Sequence, residues 1–292
     1  MDAMARTSFV IASRNRAHEL ATTVARLLDS TCCPIIVVDN DSHDDSVAVM
    51  NHVAARAAGR LRVIELTQNL GAVGRNIGVR AAKTPYVAFC DDDSWWTPES
   101  PAIGAALFDR HPSLGLVAAR TIVWPQDRED PFCAQLAASP LGRRSDLPGP
   151  SVLGFMSCAA MVRKQAFEAA GGFSEILHFR GEEELLAVDM AVLGWDLCYC
   201  PDLVAIHEPS AVRRSTAAQD ARTLRNAVLT TWMRRPMPHC FRAAGALFAA
   251  ALKDREHARA AVEAIRRLPD VVNERRQLPA SVERALTVLE SR

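Results

Sequence analysis

The sequence predicts an α/β fold, a mostly parallel sheet flanked by helices, followed by a region of helices alone. Three observations lead there. Short apolar runs rich in β-formers alternate with helix-period segments over the first two-thirds of the chain, as in a parallel sheet covered on both faces. Acidic residues stand directly after two of those runs, at Asp39 and at Asp91-Asp92-Asp93. From about Ala218 the strand pattern stops and helical spacing takes over.

Thr7–Ser13 reads as a buried strand, followed by the polar turn Arg14-Asn15-Arg16. Leu20, Val24, Leu27 and Leu28 then give a helix over Glu19–Leu28. Pro34 separates it from a second continuous apolar strand, Ile35–Val38, which runs into Asp39. Asp44, Asp45 and Ser46 can cap a helix over Val47–Ala58. Leu61–Leu66 is a third strand, 68–74 a glycine-bearing turn, and Arg75–Ala82 a helix. The glycine turn follows the third strand and contains no GxGxxG, so a Rossmann dinucleotide fingerprint does not fit.

Tyr86–Cys90 is the strand around which the rest is arranged. Asp91, Asp92 and Asp93 follow where it leaves the sheet, and ligands of open α/β sheets bind at carboxyl ends of strands. Three adjacent carboxylates repel one another, so they call for a cation or a set of donors. A carboxylate pair on one turn can hold a hard divalent ion, which can in turn hold a diphosphate. A solvated acidic turn is the plain alternative.

Thr97 and Pro98 suit a helix start, as cap and first residue. Leu114–Ile122 is a strand. Residues 123–150 carry five prolines and little periodicity, and read as a flap beside the site. Ser151–Val162 reads as strand and Arg163–Ala170 as a short helix. A further helix opens at Phe179–Glu184 and ends at Gly194. Leu197–Cys200 and Leu203–His207 are short strands. The helical region comprises Ala218–Trp232, Phe241–Leu268 and Ser281–Glu290. The division expected is a catalytic domain over 1–212 and helices over 213–292.

Composition narrows the class. The 292 residues suffice for a large core, and 34 basic against 34 acidic residues imply no general nucleic-acid affinity. The eight cysteines form no CxxC pair and read as small buried hydrophobes in a reducing compartment. No signal-type start and no membrane-length apolar run is present, so a cytoplasmic protein is expected.

Several stretches, taken in order, resemble the inverting family 2 glycosyltransferases with the GT-A fold. They are Val10–Arg16, Val37–Ser42, Asn69–Gly78 and Phe89–Asp93, then Gly171–Glu175 and Gly181–Leu186, with Gly194, Pro201 and His207 beyond. The resemblance implies a hexosyltransferase-like enzyme with a nucleotide-sugar donor and a hydroxyl acceptor, whether glycan, lipid-linked sugar or small molecule. It also implies Mn2+ or Mg2+ as cofactor. Ala12, Arg14 and Asp39 would form the base pocket, with Asp91 or Asp92 on the ribose and Arg75 and Asn76 lining the donor side. Asp93 would ligate the metal, with Asp91 and His207 as further ligands.

One departure concerns the catalytic base. Relatives carry Glu-Asp where this chain has Glu182-Glu183-Glu184. Counting back from Gly194 places Glu183 on the family's Asp, one methylene longer, with Glu182 as the neighbouring alternative. Trp95 and Trp96 are candidates for stacking on acceptor sugars. A nucleotidyltransferase is a competing class, though Ala12–Asn15 lacks its basic glycine-rich signature. A binding or scaffold protein without turnover is another, because the base motif is altered. Finally, Arg234, Arg235 and Arg242 beside Met233, Met237, Phe241 and 243–252 suggest peripheral contact with the inner face of a membrane. The plainer expectation is that these helices pack on the catalytic domain.

Overall fold

The computed structural model describes residues 5–209 and 216–291; the boundary expected at 212 lies outside them. The first half alternates strand and helix as the apolar pattern requires: β1 (Thr7–Ser13), α1 (Ala17–Ser30), β2 (Ile35–Asp39), α2 (Ser46–Ala54), β3 (Leu61–Glu65), α3 (Val73–Ala81) and β4 (Tyr86–Cys90). Then come β5 (Ser94–Trp96), α4 (Ser100–Arg110), β6 (Leu114–Val123), β7 (Arg128–Glu129), α5 (Pro131–Ala137), β8 (Ala160–Arg163), α6 (Lys164–Ala169), α7 (Glu182–Val192) and β9 (Asp196–His207). Five helices finish the chain: α8 (Thr216–Arg234), α9 (Met237–Ala251), α10 (Arg255–Arg266), α11 (Leu268–Glu274) and α12 (Ala280–Glu290).

The sheet order is β3-β2-β1-β4-β8-β6-β9-β5, with β7 on β6. β1, β2, β3, β4, β6 and β9 run one way; β5, β7 and β8 run the other. Every residue of β2 and β4 is buried, which is why both read as unbroken apolar runs. Alternate residues feed two cores. Phe9, Ile11 and Trp96 belong to one, and Val10, Phe89, Phe167 and Phe173 to the other.

The link between β4 and β5 sets the sheet's shape. In the sheet these strands are four spacings apart, about 19 Å if flat. In the chain only Asp91–Asp93 separate them, a reach of roughly 14 Å. The sheet must therefore curl until its edge strand meets the end of its centre.

Several boundaries differ from expectation for local reasons. α4 starts at Ser100 because Thr97 N still donates to Val204 O (3.1 Å), extending the β5 pairing and leaving Pro98 in a turn. The two strands expected at 197–207 are one, β9, whose bulge absorbs the exposed Pro201-Asp202. Of Ser151–Val162 only the end is strand; Ser157–Ala159 is a 3-10 turn. The helix expected over Phe241–Leu268 breaks at Asp254, whose side chain caps α10 by accepting from Glu256 N and His257 N (2.9 and 3.0 Å).

The C-terminal helices pack on the sheet domain through the approach to α7. Asn226 Nδ2 reaches the carbonyls of Leu177, Phe179 and Arg180 at 3.0, 2.9 and 2.5 Å. Arg234 donates twice to Asp189 of α7, at 2.6 and 2.8 Å. Arg235 pairs with Glu283 (3.0 Å) and Glu290 (2.5 Å) of α12. This corrects one expectation: Arg234, Arg235 and Met233 are buried and form no basic surface, the two guanidinium groups being paired with Asp189, Glu283 and Glu290 of neighbouring helices.

Candidate active site

The three carboxylates after β4 diverge. Asp91 turns to Arg75 of α3, and its own N–H donates to Ser94 Oγ (2.7 Å). Asp92 accepts from Ser13 Oγ at 2.7 Å and faces Arg16 Nε at 3.4 Å, while its main-chain oxygen accepts from Thr23 Oγ1 (2.8 Å). Asp93 lies 3.5 Å from His207 Nε2 and 3.7 Å from Arg16 Nη2, and its carbonyl accepts from Glu208 N (2.8 Å). The strand end thus meets α1 on one side and the end of β9 on the other.

Electrostatics follow from this crowding. Burial, with repulsion from Asp91 and Asp93, pushes Asp92 up to about 6 against the pull of Ser13 and Arg16. Burial opposes a charge on His207, but the hydrogen bond and charge of Asp93 outweigh it and raise the imidazole's pKa.

Among the described residues no three His, Cys, Asp or Glu side chains converge as a ready metal cage. Asp93 and His207 come together, and Asp91 is paired with Arg75. Two protein ligands fit a small divalent ion whose other ligands come from a bound diphosphate and water.

Ala12, Arg14 and Asp39 gather at the carboxyl ends of β1 and β2, where Ala12 pairs with Val38 and Ser13 with Asp39. Asp39 is buried. Its Oδ2 accepts from Ser42 N (2.9 Å), and its Oδ1 is buried with no hydrogen-bond partner. A buried, unanswered acceptor of this kind suits an incoming N–H. Arg14 Nε donates to Asp41 O (3.1 Å), bracing the same turn. Asn76 is engaged elsewhere: its amide donates to Phe173 O and accepts from Phe173 N, both at 2.9 Å. Through these two bonds it clamps the segment that contains Phe173.

Gly181, in the left-handed region at φ 77°, delivers the chain into α7. Its first turn separates the three glutamates, as 100° steps demand. Glu182 is buried, with Oε2 unpartnered, and burial together with the Glu183 charge pushes its carboxyl up to about 8. Glu183 is half-buried and accepts from Ser157 Oγ at 2.9 Å. Glu184 is exposed. Arg75 sits between the two regions: burial disfavours its charge, but Asp91, Glu182 and Glu183 together hold its pKa above the ordinary value.

Sequence reasoning gave no role to Ser13, Arg16, Thr23 or Ser157. Arg16 stands in a stretch that carries the resemblance, but only the fold shows which carboxylates it meets. Ser157 gave no signal because its run reads as strand. Trp96 is core, donating Nε1–H to Phe89 O (2.9 Å), and Trp95 is covered by the Arg26 guanidinium 3.8 Å from its ring centroid. A cleft of about 720 Å³ opens onto Asp92 and Asp93, lined also by Arg16, Thr23, Glu208 and Trp124. Its Trp124 wall comes from the start of the segment expected as a flap. That segment also contains β7 and α5.

The profile of glycosyl transferase family 2 matches residues 8–171, from β1 through α6. The chain belongs to glycosyl transferase family 2. Its sequence is 28% identical over 226 residues to a pre-mycofactocin glycosyltransferase of Mycobacterium tuberculosis, covering 73% of this chain and 44% of that protein. The chain therefore spans less than half of this relative's length. Its fold resembles a mannosyltransferase of Pyrobaculum calidifontis in complex with GDP-Man and Mn2+, with a TM-score of 0.62, 19% identity, and coverage of 99% of this chain and 87% of that one. S. aureus TarS 1-349 in complex with UDP-GlcNAc gives a TM-score of 0.59 at 15% identity, covering 96% and 83% of the two chains. The family 2 glycosyltransferase thus has a GT-A fold with C-terminal helices.

Proposed function

We propose that this glycosyltransferase moves a sugar from a nucleotide diphosphate donor to an acceptor hydroxyl by a metal-dependent, inverting displacement. The observation that carries this reading is Arg75, buried between Asp91 at the strand end and the glutamates opening α7. It joins the donor-side carboxylates and the base-side carboxylates into one electrostatic unit. The ligands in the P. calidifontis and TarS structures support a nucleotide-sugar donor.

In this reading Asp39 Oδ1 accepts from the donor base, and Asp91 and Asp92 stand on the ribose side. Asp93 and His207 hold Mn2+ or Mg2+, which supplies charge neutralisation on the leaving diphosphate. Glu183, oriented by Ser157, takes the proton of the attacking hydroxyl. Burial and the Glu183 charge favour the protonated form of Glu182, which limits negative charge beside that base. Attack opposite the leaving group inverts the anomeric centre in one step.

The test is a panel of UDP-, GDP- and dTDP-sugars with purified protein, with the product anomer read by NMR and chelator as a control. An inverted product made only with metal supports the reading. Donor binding without turnover would instead identify a binding protein, and a retained anomer would rule out single displacement.

A further inference from the structure

Helix α9 carries an apolar face that no described residue covers. Phe241 is 70% exposed, Phe248 67%, Leu252 74% and Met237 49%. At 100° per residue these four positions fall within about 60° of one another. They form one stripe running the length of the helix, while Cys240 and Leu247 on another side enter the protein. Large exposed apolar stripes mark interaction surfaces.

Charge indicates what the stripe meets. Residues 210–292 hold sixteen Arg and Lys against eight Asp and Glu, whereas residues 1–209 hold eighteen against twenty-six. Exposed Arg242 and Lys253 flank the stripe on one side, and exposed Arg255, Arg259 and Arg266 follow on α10. A two-fold partner would set this positive flank against itself. An anionic bilayer would receive both the rings and the charges.

We propose that α9 lies on the surface of an anionic lipid bilayer, with Met237, Phe241, Phe248 and Leu252 entering the headgroup boundary and Arg242 and Lys253 meeting lipid phosphates. The basis is the exposed stripe and its flank, and it differs from the Arg234-Arg235 patch, whose guanidinium groups are buried. The proposal is independent of the transfer reading, because none of these side chains belongs to the active site.

Flotation of the full chain with two vesicle types tests it: phosphatidylcholine alone, and equal parts phosphatidylcholine and phosphatidylglycerol. The expected result at low salt is flotation with the anionic vesicles and its loss at high salt. Phe241→Ser with Phe248→Ser should lower binding roughly a hundredfold, from two lost ring transfers. Arg242→Gln with Lys253→Gln should lower it roughly tenfold or more. Since all four side chains are exposed, unchanged circular dichroism should accompany both pairs. No flotation of the wild-type chain with anionic vesicles overturns the proposal. So does a concentration-dependent dimer, seen by sedimentation, that the Phe pair abolishes, because the stripe would then belong to a second copy.

Discussion

Ser157 donates a 2.9 Å hydrogen bond to Glu183 from a 3-10 turn lying between the strand end and α7. The contact fixes which of three consecutive glutamates has an oriented carboxylate. If Glu183 is the base, Glu183→Gln should cost on the order of 10² to 10⁴ in single-turnover transfer, with donor affinity nearly unchanged. Ser157→Ala should lower kcat and spare KM for the donor, and Ser157→Thr should recover part of the loss. Normal kcat in Ser157→Ala would remove its positioning role. Near-normal transfer in Glu183→Gln, with Glu182→Gln inactive, would shift the base by one residue.

Asp93 and His207 provide a second test. Asp93→Asn should abolish metal-dependent turnover and weaken binding of the nucleoside diphosphate–Mn2+ complex, measured by calorimetry with and without chelator. Full, chelator-resistant activity in Asp93→Asn would exclude a metal held there.

Glu182 gives a pH dependence of stability whose sign is set by its buried carboxyl. Its pKa rises from the ordinary 4.5 to about 8 on folding, chiefly through burial. The native state therefore holds a proton that the unfolded state releases, and stability falls as pH rises between those values. Urea midpoints from pH 4.5 to 8.5 should decline, and Glu182→Gln should flatten the decline. An unchanged slope would mean that another group carries it.

Gly71 is a matter of space as well as backbone angle. A Cβ there would lie 2.1 Å from His178 O, which accepts from Ala72 N at 2.7 Å. Gly59 has a similar positive φ with nothing within 4 Å. Gly59→Ala should cost about 1 kcal/mol from conformation alone. Gly71→Ala should cost roughly 2 kcal/mol or more, since the carbonyl must also move. Equal losses in chemical denaturation would show that the close approach carries no cost.

Arg234 anchors the helical region to α7 through Asp189. Removing the guanidinium leaves a largely buried carboxylate without its partner, so Arg234→Ala should destabilise by about 3 kcal/mol. A thermal shift of less than a degree would mean that the pair contributes little.

The sheet half of the fold was legible because β2 and β4 are buried throughout, and continuous apolar runs can lie nowhere else. The acidic strand ends were legible for the same reason, as charge adjoining such a run stands out. The proposed base could be narrowed to a turn of helix, but three like residues in a row differ only in direction, which depends on how α7 is rolled. Ser157 was out of reach because a hydroxyl in an apolar stretch looks like strand filler until its partner is placed. Arg234 and Arg235 misled for a related reason: a string of letters does not reveal that Asp189, Glu283 and Glu290 wait on neighbouring helices. Asn76 lies within a stretch used for the resemblance, yet packing assigns its amide to a backbone clamp.

The tight link from β4 to β5 has a consequence for biogenesis. His207 can meet Asp93 only after 113 intervening residues have been made and β9 has received β5 along its free side. A nascent chain holding the whole acidic motif still lacks His207 beside Asp93, and a chain stalled before β9 cannot form the pair proposed to hold the metal. On the proposed reading, competence for chemistry arrives together with closure of the architecture, so ligand-induced protection of the Asp93 segment during refolding would serve as a clock for the last strand to dock.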